Sequence, residues 1–261
     1  MEKPRNKKNF SKNRGLGISF SQEKRILIYR RNAVAESIRS NAALEVYFDD
    51  RHQGDPLMAE ATEHGIHYQV VSKEQLNALA NHQPHQGIIS FCAPLKTVSL
   101  DQLIEKTQGK ESPLVLILDG IEDPHNMGAI LRSADAFGVD GIIIKNVGNA
   151  PLNGTLCNIS TGACFYLNLC VVSNLSQAIS KLKEAGFWIA ASDGYATMSY
   201  QDLDYSRKLA FIVGSEGFGI SKLLLKNSDY VVKIPMQGHV NSLNASVATG
   251  ILLSYARSKN A

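Results

Sequence analysis

Short apolar runs alternate with segments of helical spacing along almost the whole chain from residue 24 onward. The run at 114–118, five consecutive apolar residues, is typical of a strand buried on both faces of a parallel sheet. Similar runs follow at 142–145, 187–191 and 209–213. Because strand and helix patterns alternate, the sequence predicts an α/β protein with a parallel sheet covered by helices.

The same criteria divide the chain into two regions. Strand-like runs at 25–29, 44–48, 67–71 and 87–91 alternate with helical patterns at 32–40, 56–63 and 73–79. They predict a small α/β domain at 24–95, near the lower size limit for independent folding. A polar segment at 96–112 is predicted to be a linker that few contacts cross.

The remaining residues, 113–261, are predicted to form a larger domain. Its further elements are helices near 127–137, 152–160, 175–185, 221–226 and 245–256, and strands at 165–172 and 230–234. The last helix is apolar on almost every side, so we expect it to be buried or to form a subunit interface.

Composition narrows the class of protein. No apolar run approaches the ~18 residues of a membrane helix, and the N-terminus lacks the apolar segment of a signal peptide. The four cysteines form no Cys-x-x-Cys pair and are predicted to be reduced thiols in the core. We therefore expect a cytoplasmic protein without a membrane segment.

The net charge of +3 is unevenly distributed, because residues 1–14 carry six Lys or Arg against one Glu. A segment of this composition cannot bury enough apolar surface to fold alone, so 1–23 is predicted to be a basic disordered tail. Such a tail could neutralise nucleic-acid phosphates, or it could only improve solubility.

Two His-x-x-His pairs raise the question of a zinc site: His64 with His67, and His82 with His85. A glycine interrupts the first pair and a proline the second, so neither pair lies on one uninterrupted helical face. No cysteine lies between them. We therefore predict polar surface residues here and no metal site.

Three glycine-rich or polar segments follow predicted strands. The most informative of these segments is 211–219. Its three glycines surround Glu216 with the spacing Gly-x-x-Gly-x-Gly. This differs from the dinucleotide fingerprint Gly-x-Gly-x-x-Gly. Ligands bind at the carboxyl ends of strands in open α/β sheets, so the segment predicts either a docked small cofactor or a tight turn without a ligand.

The other two segments carry polar side chains near helix starts. Residues 119–128 form an acidic loop, and Arg132 follows on a predicted helix, where it either reaches a phosphate or is a surface residue. Ser242 and Asn244 precede the apolar helix at 245–256, where they either cap the helix or contribute to a site at the same sheet edge.

Together the three segments are specific. In order along the chain they read NMGAILRSA at 126–134, GSEG at 214–217, and IPMQG at 234–238 with SLN at 242–244. They resemble motifs 1, 2 and 3 of the SpoU/TrmH family of RNA ribose 2′-O-methyltransferases, over about residues 114–257. Residues 24–95 look like the small L30e-like substrate-binding domain of that family, in the layout of its 23S rRNA guanosine-2′-O-methyltransferase branch.

The resemblance implies a fold, a cofactor and partners. The larger domain would carry a C-terminal trefoil knot that forms the pocket for S-adenosylmethionine, and the protein would be a homodimer. The implied cofactor-binding residues are Gly214, Ile234 and Leu243, with Met236 and the turn from Ser192 to Gly194 nearby. RNA would be the substrate, and no metal would be needed because a sulfonium methyl group is already activated.

The resemblance also implies catalytic residues. Arg132 would either assist removal of the hydroxyl proton, as is proposed for the family, or hold a phosphate next to the target ribose; we favour the second role because an arginine keeps its proton at neutral pH. Four further residues would orient Arg132 and the ribose: Asn126, Glu216, Ser242 and Asn244. The expected activity is methylation of a ribose 2′-hydroxyl, with 23S rRNA as the favoured substrate.

Three alternatives stay open on the sequence. The substrate could be tRNA, or the protein could bind RNA without catalysis, although all five polar motif positions argue against this. A nicotinamide-dependent oxidoreductase would need a dinucleotide fingerprint after the first strand of the larger domain, and residues 119–128 do not supply one.

Overall fold

A computed structural model describes residues 25–239 and 242–259 of the protein. The basic tail predicted at 1–23 lies outside these residues. The strands form one sheet of four and one of eight. Every strand pair in the larger sheet is parallel, which confirms the predicted α/β fold with a parallel sheet.

The smaller sheet is built from residues 25–92, which we call the small unit. Its elements are β1 (Ile26–Ile28), α1 (Arg31–Arg39), β2 (Ala43–Asp49), α2 (Pro56–Glu63), β3 (His67–Val71), α3 (Lys73–Leu79) and β4 (Ile88–Cys92). The strand order is β1-β4-β2-β3, with β4 antiparallel to both neighbours. All seven predicted elements are present, and no end is shifted by more than one residue.

The larger sheet is built from residues 97–259, which we call the large unit. Its elements are β5 (Thr97–Val98), α4 (Leu100–Lys106), β6 (Leu114–Asp119), α5 (Pro124–Ala136), β7 (Gly141–Lys145), α6 (Gly154–Ile159), β8 (Leu169–Val172), α7 (Leu175–Glu184), β9 (Trp188–Ser192), β10 (Met198–Ser199), β11 (Leu209–Gly214), α8 (Lys222–Asn227), β12 (Tyr230–Lys233) and α9 (Ala245–Ser258). The strand order is β10-β12-β9-β11-β6-β7-β8-β5.

The centre of the large unit shows why a continuous apolar run is needed there. All of 114–118 is buried, and alternate residues of β6 point to opposite faces of the sheet. Leu116 joins the core with α5 and α9, whereas Val115 and Ile117 join the core with α7 and α8. Helices therefore cover both faces of the sheet.

The predicted linker at 96–112 is instead part of the large unit. β5 pairs with β8, and Leu103 of α4 is fully buried. A capping box between Ser99 and Gln102 starts α4. The apolar residues at 100, 103 and 104 form a short helical stripe within an otherwise polar stretch, and their packing makes this segment a structural element.

Two boundaries within the large unit differ from the prediction by three residues or more. α5 starts at Pro124, not near 127, because Asp123 caps it by accepting a hydrogen bond from the His125 N–H and a proline suits the first helical turn. The strand predicted from 165 begins at Leu169, because Ala163–Phe165 forms a 3₁₀ turn.

The four cysteines are unpaired and buried, as predicted. Among the residues that the structure describes, no helix is long and apolar enough to span a membrane.

Candidate functional site

The carboxyl ends of the parallel strands bring the three polar segments together. The loops after β6, β9, β11 and β12 meet at one edge of the larger sheet, around two neighbouring cavities of about 380 and 390 Å³. This is the edge at which α/β proteins generally bind ligands. The convergence follows from strand direction, because parallel strands all end on the same side.

Three side chains from the three segments form one hydrogen-bonded group. Asn126 Nδ2 donates to Glu216 Oε1 at 3.1 Å. Asn244 Nδ2 donates to Asn126 Oδ1 at 2.9 Å and also to Glu216 Oε1. We call these three residues the motif triad. The carboxylate of Glu216 thus has its position fixed by two amide donors, while its residue remains exposed to solvent.

Asn244 both caps α9 and contributes to the triad. Its Oδ1 accepts hydrogen bonds from the N–H groups of Ser246 at 2.9 Å and Val247 at 3.3 Å. The cap uses the oxygen of the side chain and leaves Nδ2 to the triad. The structure thus confirms that Asn244 caps α9 and brings it to the same sheet edge as Glu216, while its role in a functional site stays a prediction.

The turn after β11 places Glu216. Ser215 and Gly219 form an isolated bridge, with the Gly219 N–H donating to the Ser215 carbonyl oxygen at 2.9 Å. A Cβ added at Gly214 would lie 2.2 Å from the Gly219 carbonyl carbon, so only glycine permits this close return of the chain. The glycine spacing thus builds a tight turn that also lines a cavity.

The 380 Å³ cavity contains every residue predicted to bind the cofactor. Its lining includes Ser192, Gly194, Gly214, Ile234, Met236 and Leu243. Glu216 and Ser242 line it as well. The volume lies within the usual range for small-molecule sites. Apolar side chains and bare backbone at glycines share the wall, which suits a ligand with an aromatic ring and polar groups.

Arg132 lies apart from the other predicted catalytic residues. It is exposed on α5 and is not among the residues that line either cavity. It makes no hydrogen bond or ion pair with any residue of 25–239 or 242–259. Six helical positions separate it from Asn126, which turns it about 120° away around the helix axis. Its catalytic role stays a prediction.

Sequence reasoning missed two aromatic residues on the rim of the 380 Å³ cavity. Tyr195 is 87% exposed and Phe218 is 99% exposed, and both line the cavity. Phe218 lies between two glycines of the turn, and Tyr195 follows Gly194. Large apolar side chains inside glycine-rich segments were the available signal, since such segments otherwise favour small or polar residues.

The four histidines are not alike. His85 was predicted to lie on the surface, but it is buried. Its Nε2 bonds to Asn77 Oδ1 at 2.8 Å, and its Nδ1 accepts from the Gly87 N–H at 3.0 Å. Burial lowers the pKa of His85, which favours the neutral ring that can accept this bond. Within the described parts of the chain, no three His, Cys, Asp or Glu residues form a potential metal site.

Comparisons with known families match both units. The model of the SpoU rRNA Methylase family matches residues 113–254. A model described as RNA 2′-O ribose methyltransferase substrate binding matches residues 27–98. The first match alone covers more than half of the 261 residues.

Individual proteins agree with these matches. A Staphylococcus haemolyticus protein named as a TrmH family tRNA/rRNA methyltransferase is 41% identical over 233 residues, covering 87% of this chain and 93% of its own. The crystal structure of the SpoU methyltransferase AviRb from Streptomyces viridochromogenes, in complex with AdoMet, superposes with a TM-score of 0.74. It is 21% identical and covers 90% of each chain, so it shows the fold alone.

A further crystal structure, of an RNA 2′-O ribose methyltransferase, is 25% identical with a TM-score of 0.73, covering 91% of this chain and 90% of its own. Family matches over both units, a close relative over most of the length and the shared fold agree with one another. The chain therefore belongs to the SpoU/TrmH family of RNA methyltransferases.

Proposed function

We propose that this protein transfers a methyl group from S-adenosylmethionine to a ribose 2′-hydroxyl of RNA, with 23S rRNA as the first candidate substrate. The observation that carries the proposal is the motif triad. Asn126, Glu216 and Asn244 come from three distant segments and form one hydrogen-bonded group beside a cavity of cofactor size.

The residues of the 380 Å³ cavity suit S-adenosylmethionine. Ile234, Met236 and Leu243 supply an apolar wall for an adenine ring, while Gly214 and Gly194 leave backbone groups accessible. AviRb, which has the same fold, binds AdoMet in its crystal structure. When bound, the cofactor supplies an activated methyl group, and the protein has to orient the acceptor.

Orientation is the task that we assign to the polar residues. A ribose 2′-hydroxyl is a weak acid and a weak nucleophile, so it must be aligned with the methyl group and relieved of its proton. Glu216 and Ser242 face the cavity, where their oxygens can accept a hydrogen bond from that hydroxyl. Asn126 and Asn244 keep the Glu216 carboxylate in place.

In this proposal Arg132 binds the phosphate next to the target ribose. It is exposed on α5, the helix whose first turn carries Asn126, and the structure gives its guanidinium no competing partner among the described residues. A guanidinium binds phosphate oxygens bidentately. We assign Arg132 to anchoring and electrostatic stabilisation, not to proton removal, because it keeps its proton at neutral pH.

The remaining family features are part of the same proposal. The small unit would be an L30e-like RNA-binding domain, and the large unit would contain a trefoil knot around the cofactor site. The protein would work as a homodimer through α9, on which Val247 is 50% exposed, and Leu243 just before this helix is also exposed. The second candidate substrate is tRNA, since the Staphylococcus haemolyticus relative is named for both RNAs.

Mapping of 2′-O-methyl groups across total RNA tests the proposal. RNA from cells without this protein would be compared with RNA from cells that contain it, and the unmethylated RNA would then be treated with purified protein and S-adenosylmethionine. We expect one site in 23S rRNA to lose its methyl group in the deficient cells and to regain it in vitro. A site in tRNA would select the alternative substrate, and no restored site at all would contradict catalysis.

A further inference from the structure

The side chain of Asn158 joins the small and large units. Asn158 lies on α6 and is fully buried. Its Oδ1 accepts hydrogen bonds from the backbone N–H groups of Tyr29 at 2.9 Å and Arg30 at 3.2 Å. Its Nδ2 donates to the carbonyl oxygens of Leu27 at 3.2 Å and Gly154 at 2.7 Å. Two acceptor sites and two donors are thus all used.

Through these bonds, the Asn158 side chain pairs with the backbone of an edge strand. β1 is at the edge of the smaller sheet, so its outward backbone groups need a partner. The carboxamide offers one acceptor and one donor to that edge, as an additional strand would. An aspartate would lose both donors and a leucine would lose every bond, so the contact requires an amide side chain.

Two glycines of the large unit allow the close approach. A Cβ added at Gly154 would lie 2.7 Å from the carbonyl oxygen of Leu27, so α6 can lie directly against β1 only with glycine at this position. At Gly162, where φ is +88°, an added Cβ would lie 2.4 Å from the Cβ of Glu36 on α1. Beside this contact, the Tyr166 hydroxyl donates to Glu36 Oε2 at 2.7 Å.

The contact is continuous with the site. Ile159, next to Asn158, packs over Gly128 of α5, where an added Cβ would lie 2.4 Å from the Ile159 Cγ2. α5 carries Asn126 of the motif triad and the exposed Arg132. One buried apolar core runs through both units, including Ile28 of β1 and other residues of the small unit together with α5 and α6.

We propose that Asn158 is a positioning residue that holds the small unit and α5 as one rigid body, so that RNA bound by the small unit meets the site at a fixed offset. This rests on the proposed function, because it assumes that both units contact one RNA. The small unit then acts as a fixed spacer that selects which ribose reaches the site, and no hinge lies between RNA binding and methyl transfer.

Distance measurement in the full-length protein tests this without relying on activity. Nitroxide labels at Glu63→Cys and Glu184→Cys, both at exposed positions in different units, would be measured by double electron–electron resonance with S-adenosylmethionine present. The native cysteines are buried and so react slowly with the label. We expect one narrow distance peak for the wild-type side chain at 158 and a broadened or shifted distribution for Asn158→Ala.

Kinetics separates positioning from general damage. For Asn158→Ala we expect kcat on RNA to fall about tenfold with KM nearly unchanged, because RNA still binds but the ribose is misplaced. The Kd for S-adenosylmethionine should not change, since Asn158 does not line the cavity. Asn168→Ala is the matched control: this side chain also bonds a carbonyl oxygen, that of Asp140, but lies wholly within the large unit.

The outcomes are distinct. A narrow, unshifted distance peak with wild-type kcat in Asn158→Ala overturns the proposal, as does a broad distribution in the unmutated protein. If Asn158→Ala does not fold, Gly162→Ala decides, because its added Cβ pushes against Glu36 at the second contact; an unchanged distribution there overturns the proposal too. If the wild-type protein methylates no RNA, the proposed function fails, while the distance data still decide whether Asn158 fixes the two units.

Discussion

Asparagines lie at two contrasting places around α5. Asn126 and Asn244 belong to the motif triad at the solvent-exposed sheet edge, where they hold a carboxylate next to a cavity. Asn158 lies in the core between the two units, where every one of its polar groups is bonded to backbone. The same carboxamide thus bonds the Glu216 carboxylate in one place and the backbone of the small unit in the other, and we propose that the first contact serves catalysis and the second positions the two units. Substitution of Asn126 or Asn244 should slow methyl transfer, whereas substitution of Asn158 should misalign the bound RNA with the site.

The largest effect is expected at Arg132. If Arg132 anchors the phosphate as proposed, Arg132→Ala should lower kcat by on the order of a hundredfold or more, because the charge that would stabilise the reacting geometry is lost. The Kd for S-adenosylmethionine should stay the same, because Arg132 does not line the 380 Å³ cavity to which we assign the cofactor. Single-turnover methylation with calorimetry of cofactor binding measures both quantities. Retained activity would show that the phosphate-anchoring role is wrong.

The next effect is expected at Gly214. Gly214→Ala should weaken cofactor binding at least about tenfold, because the new Cβ would clash with the Gly219 backbone and open the turn. Gly217→Ala is the matched control, since it lies in the same turn and its added Cβ would meet nothing within 4 Å. Equal Kd values for the two variants in calorimetry would contradict the close approach at Gly214.

Substitution of Asn244 should affect both the stability of α9 and catalysis. Asn244→Ala should lower the free energy of unfolding by about 1 kcal/mol through the lost cap, and should also reduce kcat about tenfold as Glu216 loses a donor. Asn174→Ala removes an equivalent cap from α7, where Oδ1 accepts from Ser176 N at 2.8 Å and Gln177 N at 3.2 Å. The control should lose stability without losing activity in urea unfolding and methylation assays. Equal activity of the two variants would show that Asn244 only caps α9 and has no role in catalysis.

The smallest effect on activity is expected from Asp49, in the small unit. Burial of Asp49 acts to raise its pKa, but hydrogen bonds from His52 and Arg51 outweigh this and lower it to about 2. A carboxyl group with a lowered folded-state pKa stabilises the protein above pH 4, and this contribution of about 2 kcal/mol disappears as the pH falls from 4 to 2. Asp49→Asn should remove this part of the acid dependence in urea unfolding and leave methylation at neutral pH unchanged. An unaltered acid profile would contradict the charge-stabilised carboxylate.

The sequence predicted the fold wherever apolar spacing was regular. The buried run at 114–118 and all seven elements of the small unit are where the pattern put them. The two-residue strand β5 was missed because so short a segment has no periodicity of its own. Its pairing with β8 depends on residues about seventy positions away, which no local pattern can report.

The site was predictable as a set of residues but not as an arrangement. Motif resemblance identified Asn126, Glu216 and Asn244, and strand direction explains why they meet. The separation of Arg132 from them depends on helix phase and on where α5 starts, three residues earlier than expected. Asn158 gave no signal at all, because an asparagine within a helical pattern becomes informative only when its partners, more than 120 residues earlier in the chain, are known.

Identification of the methylated nucleoside tests the central claim most directly. Purified protein would transfer a labelled methyl group from S-adenosylmethionine to unmethylated ribosomal RNA, and complete nuclease digestion with mass spectrometry would locate the label. The proposed function predicts the label on the ribose, as a single 2′-O-methylnucleoside, and the proposed role of Glu216 predicts its loss in Glu216→Ala. A label on a base, or full activity of Glu216→Ala, would contradict the account.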